Sequence, residues 1–82
     1  MRTVVIFDKK AMSYQVPFTV PNFVTATREL DRVVNSGKGD FSDFPEDFAL
    51  YHIGDFNELT GEFTPIFPPA LKHELSEFVK SK

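Results

Sequence analysis

The chain opens with Thr3–Phe7 (TVVIF), an apolar, β-branched run closed by Asp8-Lys9-Lys10. A short run of this kind predicts a strand buried on both faces. Ala11–Val20 is extended and less regular. Tyr14, Val16 and Phe18 alternate with polar Ser13 and Gln15, and Pro17 confines any ladder role to an edge. A short second strand is therefore expected to pair with the first, in a hairpin turning at Lys9–Lys10. Period-two alternation then gives way to intervals of three and four at Phe23, Ala26, Leu30, Val33 and Val34. This predicts a helix over about 22–35 with one apolar stripe. Asn22 caps its start, and Asn35-Ser36-Gly37 stops it. Thr25, Arg28 and Arg32 fall on the far face.

Gly37–Pro45 reads as a loop in which acids alternate with Phe41 and Phe44. Phe48–Ile53 (FALYHI) predicts a strand, Gly54–Gly61 a turn, and Glu62–Phe67 a returning strand. Pro68-Pro69 is read as a break. Leu71, Leu75, Phe78 and Val79 then suit a C-terminal helix over about 70–80, with Pro69 in its first turn and Lys80 and Lys82 at its dipole end. The fold class is α+β: a small antiparallel sheet of three to four strands carrying one main helix and a C-terminal one. Residues 1–82 make a single domain, as expected for a chain of 82 residues.

Composition adds two facts. Ten phenylalanines and two tyrosines are many for so short a chain. Most are needed for core or interface, and the surplus points to a homodimer or homo-oligomer. The net charge of −3 is unevenly spread. Residues 1–38 carry an excess of three basic side chains, from Arg2, Lys9, Lys10, Arg28, Arg32 and Lys38 against Asp8, Glu29 and Asp31. Residues 39–62 hold seven acids and no Lys or Arg. The whole chain is a poor match to the basic footprint of a nucleic-acid binder, whereas its N-terminal half is a match.

Several classes of chemistry drop out. The absence of cysteine removes disulfides, thiolate nucleophiles and Cys-ligated zinc. His52 and His73 alone do not complete a three-ligand zinc site, and His52 reads as a hydrogen-bonded strand residue. No serine has nucleophile-elbow glycines, and Gly37-Lys38-Gly39 lacks the phosphate-loop pattern. The acids of 40–62 are too irregular for the calcium-loop pattern, which Asp40, Ser42, Phe44 and Glu46 do not supply. No enzymatic activity and no cofactor or metal are expected. The longest apolar run falls far short of the roughly 20 residues of a membrane span, so neither a membrane segment nor a secretory signal is expected.

Two stretches carry a resemblance: the opening, VVIFDKKAMSYQVPF followed by VPNFVTATREL, and FPEDFALYHIGDFNELTGEF. Their ordered features are Asp8, Lys10 and Ala11 in the first turn, Pro17-Phe18, Pro21-Asn22, and Ala26 and Arg28 in the helix. Pro45-Glu46-Asp47, Gly54, Phe56 and Thr60-Gly61 follow. In this order and spacing the chain, over about residues 3–67, resembles the small nonstructural proteins of gokushovirus-type Microviridae, phages with single-stranded DNA genomes. The resemblance implies a non-enzymatic viral protein of the host bacterial cytoplasm. It implies a role in single-stranded DNA replication or packaging, through DNA binding. No catalytic or binding residues come with it.

For DNA binding, the residues of choice are the cations Arg2, Lys9, Lys10, Arg28 and Arg32, with Tyr14 and Phe18 as stacking rings. Binding to single-stranded DNA is expected to be weak and sequence-independent. The rival is an interaction module that binds a viral or host protein and never touches DNA. The two differ in where the acids fall: DNA binding needs these cations on one surface, clear of the acidic segment. Self-association is checked by light scattering at high micromolar concentration. The expected mass is at least twice the chain mass, and a mass of 9.4 kDa would rule it out.

Overall fold

The computed structural model describes residues 1–80. Five strands form one antiparallel sheet: β1 (Arg2–Asp8), β2 (Ser13–Tyr14), β3 (Phe18–Val20), β4 (Phe48–Phe56) and β5 (Phe63–Glu74). β1 and β4 are central, β5 lies outside β4, and β2 and β3 share the outer edge of β1. Between these two short strands lie Gln15, Val16 and Pro17, where the expected edge strand is interrupted. Proline has no N–H to give to a ladder, so the strand splits rather than continues. The first turn is closed by Asp8, whose Oδ1 accepts from the N–H groups of Lys10 and Ala11 at 3.0 and 3.1 Å.

Helix α1 (Phe23–Val34) follows the sequence stripe. Asn22 Oδ1 accepts from the Thr25 N–H at 2.9 Å and caps the first turn. Ala26, Leu30 and Val34 are buried against Val4 and Ile6 of β1 and Leu50 of β4. Val33 is only half-buried, and Phe23 packs at the margin of this core. Arg28 and Arg32 face solvent as expected.

Three readings are corrected. The stretch 37–45 is not wholly loop, because Asp40–Asp43 forms a short helix, α2, followed by a 3-10 turn at Pro45–Asp47. The expected turn at Gly54–Gly61 is shorter, because β4 runs on to Phe56. Gly54 belongs to that strand for a packing reason: a Cβ there would meet the Phe63 ring and lie 2.7 Å from the Thr64 carbonyl oxygen. The largest correction is at the C-terminus. There is no helix over 70–80; Phe63–Glu74 is one strand, and only Leu75–Phe78 turns, as a 3-10 helix. Pro68 and Pro69 do not end the strand because they need no ladder bonds. The register passes from Gly54↔Pro65 to His52↔Ala70, so residues 66–69 form an excursion on an edge strand. The apolar intervals from Leu71 to Val79 mimic a helix by straddling a strand end and a 3-10 turn. Within them only Leu75 is fully buried. His73 sits half-buried in β5 beside Thr27 of α1, 3.4 Å from its hydroxyl. Lys82, expected at the end of that helix, lies outside the described residues.

All the helical elements pack on one face of the sheet, the face of Val4, Ile6, Phe48 and Leu50. Among the described residues no helix is long and apolar enough to cross a membrane. Leu30 is 6% exposed at the centre of this layer. Leu30→Ala is expected to cost roughly 2–5 kcal/mol in chemical denaturation. An unchanged midpoint would show that α1 does not hold the core.

Candidate nucleic-acid interface

Strand alternation assigns each candidate side chain to a face. Along β1, Arg2, Val4, Ile6 and Asp8 point toward the helices, so Thr3, Val5, Phe7 and then Lys9 point the other way. The register carries this across the sheet. Tyr14 pairs with Phe7, Ala49 with both Phe7 and Glu74, and Tyr51 with Val5 and Leu71. The face without helices therefore carries two rows, Tyr14–Phe7–Ala49–Glu74 and Val5–Tyr51–Leu71.

Three rings on this open face touch one another. The Phe7 and Tyr14 centroids lie 4.7 Å apart, Phe7 and Tyr51 6.1 Å, and Tyr14 and Tyr51 5.8 Å, the last two edge to face. Such contacts are favourable and hold each ring in place. Between them in the register Ala49 is fully buried, whereas Tyr14 is 50% exposed. The result is an aromatic platform whose outermost ring is half in water. Beside it the first turn places Lys9 and Lys10. Lys10 is exposed and makes no ion pair among the described residues. Lys9 Nζ donates to Glu74 Oε2 at 2.6 Å and to the Glu46 carbonyl at 3.2 Å.

The other predicted residues are not gathered here. Arg2 stands at the far end of β1, roughly 23 Å from Lys9 at the usual strand rise. Its guanidinium donates to Asp55 Oδ2 at 3.0 Å and lies 5.4 Å from the Phe23 ring centroid. Lys72 Nζ sits 4.3 Å from the same centroid. Phe18 pairs with Val4 and so belongs to the helix side. Arg28 and Arg32 project from α1, and Arg32 is paired with Glu29. The seven candidates thus divide between two faces: Lys9 and Tyr14 share the open one, with Lys10 in the adjoining turn. Sequence reasoning missed Phe7 and Tyr51. Their signal was present in the odd-numbered positions of TVVIF and the alternation of FALYHI, once β1 is known to pair with β4.

A second cluster lies at the N-terminal end of α1. His52 is 7% exposed, its ring edge to face with Phe23 at 5.0 Å, and its Nε2 is 3.0 Å from Asp55 Oδ1. This agrees with its reading as a hydrogen-bonded strand histidine. The hydrogen bond from His52, and after it Arg2, hold the Asp55 carboxyl below its ordinary value. The hydrogen bond from His73 likewise lowers Glu77, whose Oε1 also accepts the Glu74 N–H. Among the described residues no group of three or more His, Cys, Asp or Glu side chains is arranged to hold a metal ion.

Residues 1–78 match the family of phage ORF5 proteins. No curated protein and no solved structure matches the chain. The match spans nearly the whole sequence, and the chain belongs to this phage protein family.

Asp55 gives a pH prediction. Its folded value is depressed, so its contribution is present above its unfolded value near 4 and is lost as pH falls through the folded one. The group is well exposed, which limits the contribution to about 1 kcal/mol or less. Asp55→Asn is expected to lower stability at pH 6 and to flatten its decline below about pH 4, measured by urea denaturation across pH. An unchanged acid limb would show that the His52–Asp55–Arg2 contacts carry no stability.

Proposed function

We propose that this phage protein is a non-enzymatic, single-stranded DNA-binding protein that acts in viral genome replication or packaging, in a microvirus of the gokushovirus type. The observation that carries the reading is the platform of Phe7, Tyr14 and Tyr51 on the helix-free face of the sheet, with Lys9 and Lys10 at its border. An antiparallel sheet with helices on one side only is well suited to stacking unpaired bases on the other. Every base has a π-face, so such binding tolerates any sequence and contributes roughly 1–3 kcal/mol per stacked base. It also needs few cations, which reconciles DNA binding with a net charge of −3. The phosphates are left to Lys9 and Lys10, and not to Arg28 and Arg32. Self-association and residence in the host bacterial cytoplasm belong to the same proposal.

One observation favours the rival reading, a module that binds a viral or host protein. Arg2 is answered by Asp55 and Lys9 by Glu74, so two of the five candidate cations are paired with acids of distant segments. The readings part at the platform.

The test is fluorescence anisotropy with labelled single-stranded oligonucleotides. With Lys10 exposed and Lys9 already held by Glu74, the slope of log affinity against log salt is expected to be about −0.7, the value for one phosphate contact. Tyr14→Ala is expected to weaken binding roughly 5- to 100-fold, whereas Arg28→Glu/Arg32→Glu changes it little. No binding by wild type at about 20 mM salt, a condition that favours phosphate contacts, would leave the protein-partner reading in its place.

A further inference from the structure

Glu74 is the one acidic side chain in the two rows of the open face, and nothing in the proposed binding uses it. It ends the row Tyr14–Phe7–Ala49–Glu74, at the opposite side of the platform from Tyr14. Its Oε2 lies 2.6 Å from Lys9 Nζ, a short, charge-assisted contact. Both side chains remain partly in water, with 41% of Lys9 and 35% of Glu74 exposed. The pair is therefore accessible and not locked in the core.

The neighbouring groups hold Glu74 in this position. Its side chain accepts the N–H of Glu77 in a capping box that opens the 3-10 turn, while Glu77 accepts the Glu74 N–H. Lys9 is steadied by the Glu46 carbonyl at 3.2 Å, and its own N–H donates to the Asp47 carbonyl at 2.9 Å. The other acidic side chains about this end, Asp8, Glu46, Asp47 and Glu77, form no ion pair with Lys9. A carboxylate and a phosphate offer an ammonium the same anionic oxygens. The position at Lys9 that a phosphate beside a stacked base requires is thus held by the protein's own anion.

Resting on the DNA-binding reading above, we infer that Glu74 is a built-in competitor. Its carboxylate occupies the phosphate position at Lys9, and a DNA backbone must displace it to bind. The free protein keeps weak affinity because one of its two platform lysines is already answered. Any event that neutralises Glu74 or draws away the 3-10 turn that follows it makes Lys9 available and tightens the complex. The contact is thus a brake on binding, placed at the junction between β5 and the C-terminal turn.

The experiment compares wild type, Glu74→Gln, Lys9→Gln and the double variant, with a labelled oligothymidylate of about 15 nucleotides, a length at the upper end of typical site sizes. Glutamine keeps an acceptor for the capping box, and an unchanged unfolding midpoint checks that the fold is intact. Glu74→Gln is expected to bind roughly 3- to 10-fold tighter, with a salt slope steeper by about 0.7, the increment for one further phosphate on a single strand. Lys9→Gln in the Glu74→Gln background is expected to abolish both gains. Equal affinity and slope for wild type and Glu74→Gln would overturn the inference, as would a gain that persists without Lys9. If wild type binds and Tyr14→Ala weakens it while Glu74→Gln changes nothing, the competitor fails and the DNA reading stands. If no form binds at about 20 mM salt, both fail.

Discussion

The antiparallel pairing of β1 with β4 is the interaction on which the rest of the structure depends. It joins Asp8 to Phe48 at one end, across thirty-nine intervening residues, and Arg2 to Asp55 at the other. Because side chains alternate along a strand, one register sends Val4, Ile6 and Leu50 to the helix layer and Val5, Phe7, Ala49 and Tyr51 to the other side. A slip of one residue would exchange the two sets. The ladder therefore fixes the core and the aromatic platform in a single step. It also sets the ends: the chain's own amino group donates to the Phe56 carbonyl at 3.0 Å, beside the Arg2–Asp55 ion pair.

Packing follows from this division. A sheet of this width has two faces, and a chain of 82 residues supplies helices for only one. Asn35 locks that layer at its far end, donating to the Phe78 carbonyl at 2.7 Å and so tying the C-terminus of α1 to the last 3-10 turn. The opposite face is closed by its own rings, which cover small or β-branched neighbours without a second layer. Aromatic surface is left partly in water on that face, with little charge beside it: one exposed lysine, and one lysine held by a carboxylate.

The sequence was informative where a local pattern and the tertiary demand coincide. Asn22 caps α1 and the Ala26–Leu30–Val34 stripe is buried, because capping and periodicity act within a few residues. Legibility ended where the determining contacts are distant. The intervals of Leu71, Leu75 and Phe78 satisfy a helix as well as they satisfy a strand end and a 3-10 turn. Pairing with β4, more than fifteen residues earlier in the chain, decides between them. Pro68 and Pro69 looked like a break because an excursion on an edge strand has no signature before its partner is known. The candidate site was legible only in part for the same reason. Lys9, Lys10 and Tyr14 are near one another in sequence and lie on one hairpin. Tyr51 is brought to them only by the β1–β4 register, and Arg2, Arg28 and Arg32 were grouped by charge although the fold places them on the other side.

The central claim is that this register builds a binding face from Phe7, Tyr14 and Tyr51. The most direct measurement is a nuclear magnetic resonance titration of the isotope-labelled protein with a short single-stranded oligonucleotide. The account predicts that the shifted amides and aromatic protons map to Phe7, Lys9, Lys10, Tyr14, Ala49 and Tyr51, while those of Arg28 and Arg32 stay in place. Shifts confined to α1 and the Arg2–Phe23 cluster, with the open face unmoved, would contradict it.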